Sequence, residues 1–297
     1  MTEFHSGLVT IVGRPNVGKS TLLNRLIGAK VSITSPRAQT TRHRLLGIKT
    51  TDAAQFVYVD TPGLHTAKGN RLGQYMNRAA RASLEGVDAV LLVITATGWT
   101  EADDTVLQLV AGHPLPVVLV INMVDLLKER TALLPLIEAS AKKFAFAEIV
   151  PVSARNGDNV DALERAVEKY LPAQPPIYPE DQLTDRSERF LAAEFVREQV
   201  FRLFAQEVPY AVAVQVEKFQ REKGVLHVAA AIWVEKEGQK PILIGKGGER
   251  IKEIGTRARQ AMQKAFGGKV HLELWVKVRE HWSDDARALQ TLGYEGD

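Results

Sequence analysis

The stretch GRPNVGKS (Gly13–Ser20) joins an apolar run, GLVTIVG (Gly7–Gly13), to residues of helical pattern, Lys19–Ile27. Its spacing is G-x-x-x-x-G-K-[ST], and its strand–loop–helix setting is the one in which that pattern holds phosphates. Glycines let backbone N–H groups approach the anion, and the lysine reaches the terminal phosphates. The serine hydroxyl of such a loop binds Mg2+. The candidate phosphate-binding set is therefore Gly13, Asn16, Val17, Gly18, Lys19, Ser20 and Thr21, with Lys19 also a candidate catalytic residue and Ser20 a candidate metal ligand.

Outward from this loop, short Val- and Ile-rich runs closed by turn residues read as buried strands. They are Gly7–Gly13, Gln55–Asp60, Asp88–Ile94, Pro116–Asn122 and Glu148–Ser153. IKTTDAAQ (Ile48–Gln55) suggests a hairpin turn and hence one antiparallel edge strand. Helix candidates lie between them, at Lys19–Ile27, Arg71–Glu85, Glu101–Ala111, Leu133–Phe144 and Val160–Tyr170. This alternation predicts a mostly parallel sheet covered on both faces. LPAQPPIYPE (Leu171–Glu180) then places four prolines close together. Proline fixes φ and lacks a donor, so the stretch reads as a semi-rigid linker. The second half restarts with a helix at Asp185–Gln206, strands at Ala211–Phe219 and Val225–Val234, a helix at Glu249–Phe266, a strand at Lys269–Val278 and a last helix at His281–Leu292.

The 297 residues suffice for two ordinary domains. A hydrophobic fraction of 45% and a charged fraction of 25% are those of a soluble globular protein. The longest apolar runs, such as Ala89–Ile94, are too short to span a bilayer, and the N-terminus lacks the pattern of a secretion signal. A cytoplasmic protein is expected. The absence of cysteine excludes disulfides and cysteine-based zinc sites. Net charge is only +3, yet residues 236–279 carry 11 Lys/Arg against 4 Asp/Glu. Such a cluster is an electrostatic footprint for a polyanion.

Further motifs follow the first loop in order. DTPG (Asp60–Gly63) ends a strand, which puts the Asp60 carboxylate beside the metal and the Gly63 amide where a γ-phosphate would lie. NMVD (Asn122–Asp125) ends another. A carboxylate at Asp125 can accept two hydrogen bonds from N1 and N2 of guanine, which adenine cannot supply. VSA (Val152–Ala154) can offer a backbone amide to the guanine O6, which makes Ser153 and Ala154 base-site candidates. QTTRH (Gln39–His43) lies in a polar stretch where a threonine could close over Mg2+.

The order of these motifs resembles the translation-factor-related GTPases over Gly7 to about Leu171. The resemblance implies a P-loop GTPase domain with a mostly parallel six-stranded sheet, binding GTP and GDP with Mg2+. Its metal ligands map onto Ser20, Asp60 and a switch threonine, Thr41 rather than Thr40 because the second threonine of the motif usually serves. Thr41 and Gly63 join Lys19 as candidate catalytic residues. Two positions depart from the pattern. Met123 stands where a lysine is usual; it can lie along the base as an apolar lid but cannot make that lysine's polar contacts. Leu64 stands where related signalling GTPases orient the attacking water with a glutamine. A cation, the backbone or a partner would then take that role. The resemblance to potassium-dependent members makes Asn16 a candidate K+ ligand. His65 follows the switch glycine and could touch nucleotide or water, but it reads first as a surface histidine.

A second glycine–lysine loop, LIGKGGERIK (Leu243–Lys252), lacks the spacing of the first, and no companion motifs follow it. It fits G-x-x-G between the apolar PILI and an amphipathic helix, the clamp with which KH domains grip about four single-stranded nucleotides. The order helix–strand–strand–loop–helix–strand resembles the type II KH arrangement. Candidate RNA contacts are Gly245, Lys246, Gly247, Gly248, Arg250, Lys252 and Arg257, with Ile244 and Ile251 lining an apolar groove. Trp233 and Trp275 read as packing the core of this domain, and Asp284 and Asp285 as acids of the last helix's first turn.

The expected organisation is a GTPase domain over 1–171, a proline-rich linker over 172–184 and a smaller α+β type II KH domain over 185–297. That conjunction resembles the bacterial ribosome-assembly GTPases. It implies binding near the 3′ end of 16S rRNA, action on the 30S subunit, and loose association with the membrane. RNA rather than DNA is the expected partner, and a monomer is expected. The rival reading is a signalling GTPase that acts on a protein or membrane partner, with the KH-like domain as a docking surface.

Overall fold

The computed structural model describes residues 3–63, 70–204 and 208–294 and divides into two compact units. The first is Met1–Ser32, Thr41–Thr66 and Met76–Asp185; the second is Ile33–Thr40, Ala67–Tyr75 and Arg186–Asp297.

The first unit carries β1 (His5–Val12), α1 (Lys19–Ile27), β2 (Leu45–Thr50), β3 (Ala54–Asp60), β4 (Ala89–Thr95), α3 (Glu101–Ala111), β5 (Val117–Asn122), α4 (Leu133–Lys143), β6 (Glu148–Pro151) and α5 (Val160–Glu168). A further helix, α2 (Arg71–Ala82), precedes β4. The sheet order is β2-β3-β1-β4-β5-β6, parallel except for β2, which pairs antiparallel to β3 through the turn at residues 51–54. Both faces are covered, so the strands read as unbroken apolar runs. Along β4, Ala89, Leu91 and Val93 enter one core cluster while Val90, Leu92 and Ile94 enter the other. Because the paired strands β1, β3, β4, β5 and β6 run the same way, the loops after them emerge at one edge. That edge is where ligands bind in open α/β sheets.

The stretch read as a linker is bonded to this unit. Ser6 N donates to the Pro172 carbonyl (3.0 Å), and Gln174 N donates to that of Phe4 (3.0 Å). The buried Gln55 side chain accepts from Ile177 N (2.8 Å) and Tyr178 N (2.9 Å) and donates to the Tyr178 carbonyl (2.8 Å). Ile48 N, on the edge strand β2, donates to the Leu183 carbonyl (2.9 Å). An open sheet edge leaves donors unpaired, and a proline-rich strap that offers carbonyls satisfies them. Residues 172–184 are therefore a strap on the first unit rather than a semi-rigid spacer.

The second unit holds α6 (Glu188–Leu203), β7 (Ala213–Glu222), β8 (Val225–Val234), α7 (Gln239–Ile244), α8 (Glu249–Phe266), β9 (Lys269–Val278) and α9 (Ala286–Thr291). Its sheet order is β7-β8-β9, with β7 antiparallel and β9 parallel to β8. The β7–β8 turn places Lys223 (φ 49°) and Gly224 (φ 79°) in the left-handed region, the backbone that matches the strands' twist in a two-residue hairpin. The apolar PILI before the second glycine loop is helical, as part of α7.

Further placements differ from the sequence expectation, among them residues 70–75, expected in the first domain, which cluster with the second unit. Residues 33–40 cluster with the second unit, although they precede the metal threonine in the first domain's motif order. Ile33 is buried in the core with Phe195 and Val196, Glu198 accepts from Thr34 N (3.1 Å), and Arg197 donates to the Thr40 carbonyl. Glu194, Arg197, Glu198 and Arg202 lie on one face of α6 at i, i+3, i+4 and i+8, and together they hold this segment. Trp233 is buried as expected and Trp275 half-buried, but both lie on the face of the sheet opposite the apolar cluster that α6 and α8 cover. The core takes Val228, Ala230, Ile232 and Val234 from β8 and Val270, Leu272, Leu274 and Val276 from β9, so the alternate positions point away. Trp233 lies under the Arg279 guanidinium (4.5 Å) and Trp275 under the Lys277 ammonium (5.5 Å). Asp285 caps α9 by accepting from Arg287 N (2.9 Å) and Ala288 N (3.3 Å), and Asp284 accepts from Arg71 N (2.9 Å). No helix among the described residues is long and apolar enough to cross a membrane.

Candidate nucleotide and RNA sites

The first loop wraps the N-terminus of α1. Gly18 caps that helix with φ 92° and offers no side-chain acceptor, so the first amides of the helix are left for an anion. A Cβ on Gly18 would lie 2.4 Å from Asn122 Nδ2, and one on Gly13 would lie 2.5 Å from the Val93 carbonyl. Both positions therefore exclude a side chain. Lys19 is buried, and its Nζ donates to the carbonyls of Gly13 (2.7 Å) and Arg14 (2.9 Å). Burial lowers its pKa to about 8, against the opposing pull of Asp60.

That value gives a pH prediction. Bound phosphates stabilise the ammonium and raise the lysine's pKa, so binding takes up a proton once the free protein has lost one. Affinity is level below pH 8 and falls by up to about tenfold per pH unit above it, until the pKa of the bound state is reached. Calorimetry at pH 9 in buffers of different ionisation enthalpy should report the proton uptake. An affinity unchanged from pH 7 to pH 9.5 would refute it.

Beside Lys19, the Ser20 hydroxyl lies 2.8 Å from Thr41 Oγ1 and donates to Asp60 Oδ2 (2.9 Å), and Thr41 Oγ1 is 3.5 Å from the same oxygen. Thr40 instead bonds Ser35 and the Arg37 carbonyl. Asp60 is fully buried, and burial pushes its carboxyl up against the bonds and charges that favour ionisation, Ser32 first among them. Its Oδ1 has no hydrogen-bond partner among the described residues. A buried carboxylate with an unsatisfied oxygen beside two hydroxyls is a hard oxygen donor set. It suits Mg2+, which takes few protein ligands and completes its shell with phosphates and water. Ser20, Thr41 and Asp60 are the residues that would hold it. There the cation would supply charge neutralisation on the phosphates. Ser32, which donates to Asp60 (2.9 Å), carries no sequence signal. A Cβ on Gly63 would stand 3.3 Å from both Lys19 Nζ and Pro15 Cγ, so its backbone lies against the phosphate loop. Leu64 and His65 lie outside the described residues.

Asn122 braces the base side. Its Nδ2 donates to the Val17 carbonyl (2.8 Å), and its Oδ1 accepts from Ala154 N (3.0 Å), which ties the first loop to the loop after β6. Asp125 Oδ1 accepts from Ser153 Oγ (2.6 Å). That bond orients the carboxylate, whereas the Ser153 amide, expected to be free for the guanine O6, donates to the Asp158 carbonyl (3.1 Å), so Ser153 reaches the base side through Asp125. Met123 adopts φ 67°, and its Cε lies 3.6 Å from where a Cβ on Gly18 would stand, so the side chain runs toward the phosphate loop. Asn16 also has a positive φ (65°) and is exposed. Thr21 is the third residue of α1 and half-buried.

The second loop is a left-handed turn. Gly245 has φ 74° and ψ 172°, and Gly247 and Gly248 have φ 61° and 81°. A Cβ on Gly245 would meet Arg250 Cγ at 2.7 Å, whereas those on Gly247 and Gly248 would point into open space. Gly248 caps the 18-residue α8 without a side-chain acceptor. The helix buries Ile254, Ala258 and Met262 and exposes Arg250, Lys252 and Arg257, with Lys246 exposed in the loop. Ile244 and Ile251 are half-buried and pack against the core. Arg257 pairs with Glu253, and Arg250 stacks over Phe204 (5.3 Å).

Residues 8–123 match the family model described as 50S ribosome-binding GTPase, and residues 207–283 match the KH domain model. The chain is 54% identical to GTPase Era of Stenotrophomonas maltophilia over 294 residues, 99% of both chains. Among solved structures, a point variant of Aquifex aeolicus Era bound to GDP and AlF4− superposes with a TM-score of 0.95 at 44% identity, covering 99% of this chain and 100% of that one. Era in complex with MgGDPNP and nucleotides 1506–1542 of 16S ribosomal RNA gives the same TM-score, identity and coverage.

Proposed function

Since the chain belongs to the Era family of GTPases, we propose that it is a GTP-driven switch that binds 16S rRNA near its 3′ end and assists assembly of the 30S subunit. The observation that carries this reading is the coexistence of a Ser20–Thr41–Asp60 donor set beside Lys19 with a G-x-x-G loop that opens a basic helix. An end-to-end relative was crystallised with MgGDPNP and 16S RNA. The first domain's family description names the large subunit, but it covers only residues 8–123, so the full-length relative is the better guide.

In this reading the loop amides, Lys19 and the Gly63 amide hold the β- and γ-phosphates, and Ser20, Thr41 and Asp60 hold Mg2+. Asp125 reads the guanine N1 and N2, the Ala154 amide, which donates to Asn122 Oδ1 here (3.0 Å), would share its hydrogen with O6, and Met123 covers the base. Water attacks the γ-phosphate in line while Lys19 and the amides stabilise the developing charge, and Mg2+ held by Ser20, Thr41 and Asp60 would add charge neutralisation there. Asn16 would bring K+ to the phosphates; equal turnover in potassium and sodium would remove that part. Met123→Lys should tighten GDP binding about three- to tenfold by restoring a donor toward the phosphate loop. An unchanged dissociation constant in a fluorescent-nucleotide titration would show that the methionine packs as well as a lysine bonds.

The chain passes from the second unit to the first between Thr40 and Thr41. Closure of Thr41 on Mg2+ would therefore pull on a segment that α6 holds through Arg197 and Glu198, and hydrolysis would release it. The signalling rival is separated by salt. Lys246, Arg250, Lys252 and Arg257 at four phosphates give a slope near −3 in log affinity against log salt for a single strand. No measurable affinity for a 16S 3′-end oligonucleotide at 50 mM salt would favour the rival.

A further inference from the structure

Arg14 has no role in the reading above, yet it is the most heavily bonded side chain of the first loop. Its Nε donates to Asp103 Oδ2 (3.1 Å), its Nη2 to Thr95 Oγ1 (3.1 Å) and its Nη1 to the Pro15 carbonyl (3.4 Å). The three acceptors belong to the first turn of α3, the last residue of β4 and the loop itself. The planar fork of a guanidinium can serve such divergent acceptors at once, whereas a lysine ammonium is a single point. Asp103 is fully buried. Its Oδ2 also accepts from Thr100 N (3.0 Å) and Thr100 Oγ1 (2.7 Å), which completes the capping box of α3. Its Oδ1 has no partner among the described residues. Arg14 is thus the cation in salt-bridge contact with a buried carboxylate that stands behind the phosphate loop.

We propose that Arg14 is a positioning residue for GTP hydrolysis and that, through its bonds to Asp103 and Thr95, it fixes the first turn of the loop and neutralises the Asp103 carboxylate behind the triphosphate. The loop geometry it sets is used twice. The carbonyls of Gly13 and Arg14 hold Lys19 Nζ at 2.7 and 2.9 Å, and Pro15 stands against Gly63, where the γ-phosphate is expected. Both charges of the pair reach Lys19, with Arg14 opposing its protonation and Asp103 favouring it. The inference rests on the nucleotide site assigned above. If the wild-type chain failed to bind guanine nucleotides, that assignment would fall; the outcomes below concern Arg14 alone.

The two parts of the role separate by substitution. Arg14→Lys keeps the charge and loses the fork, so KM for GTP should stay within about threefold while kcat falls about tenfold or more. Arg14→Gln loses both, so kcat falls likewise and the affinity for GDP and GTP also drops about tenfold or more, because a buried carboxylate without its cation now stands behind the phosphate loop. Asp103→Asn added to Arg14→Gln removes that carboxylate and should return GDP affinity to within about threefold of wild type without restoring kcat. Thermal melting accompanies each variant. If the variants melt lower but keep wild-type kcat and KM, Arg14 is only a fold staple and the inference is overturned. It is equally overturned if the double variant binds GDP no better than Arg14→Gln.

Discussion

Asp125→Asn is expected to weaken GTP binding by about a hundredfold to ten-thousandfold and to leave xanthosine triphosphate bound more tightly than GTP. The carboxylate accepts from two N–H groups of guanine, and hydrogen bonds to a charged group are worth about 1.5–3 kcal/mol each. An amide presents one donor and one acceptor, so one guanine N–H loses its partner and meets another donor. Xanthine carries a carbonyl at position 2 and suits the amide. Ser153, which donates to Asp125 Oδ1 at 2.6 Å, remains able to orient an asparagine, so the loop should keep its shape. Competition titration of the purified variant with both nucleotides decides it. A variant that still prefers GTP would remove Asp125 from the base site and leave the guanine preference to backbone groups such as the Ala154 amide.

The second large effect is on RNA. Lys246→Asp with Gly247→Asp should lower the affinity for a 16S 3′-end oligonucleotide about a hundredfold or more. The change removes one cation and sets two anions where phosphates are expected to pass. Gly247 has φ 61°, a conformation that aspartate adopts at modest cost, and a Cβ there meets nothing within 4 Å. The fold should therefore survive, and unstimulated GTP hydrolysis should stay at the wild-type level. Retained RNA affinity would make this loop a structural turn. Lost GTP hydrolysis together with a lower melting temperature would show that the substitution had damaged the protein rather than the RNA site.

Much of the nucleotide site was legible because its residues sit in short motifs at strand ends, where a parallel sheet must bring them to one edge. Lys19, Ser20, Thr41, Asp60, Asn122, Asp125, Ser153 and Ala154 converge for that reason. Contacts made across the chain were not legible. Ser32 reaches Asp60, and Arg14 reaches Asp103 over 89 positions of sequence. Neither pair has a spacing that marks it. Residues 33–40 were assigned to the first domain by order alone. Their place in the second unit depends on a charged face of α6, buried at Arg197 and Glu198, that reads in sequence as an ordinary solvated helix surface.

Of two other differences, one was readable with a stricter use of period and one was not. In KVHLELWVKV (Lys269–Val278) the positions that alternate with the apolar ones are Lys269, His271, Glu273, Trp275 and Lys277. Trp275 thus shares the polar face, as the structure shows. The prolines of 172–184 were read correctly as barring helix and sheet. They said nothing of the carbonyls that such a segment still offers to the edge strand and to Gln55.

The GTP-loaded protein is expected to hold small-subunit RNA in its second glycine loop. The most direct measurement is cross-linking of the GTP-analogue-bound protein to total cellular RNA, with sequencing of the attached fragments and the Lys246→Asp/Gly247→Asp variant run alongside. The account predicts fragments concentrated at the 3′ end of 16S rRNA, absent from the variant and sparse with GDP. Scattered fragments that neither the variant nor the nucleotide changes would contradict it and would point to a protein partner for the switch.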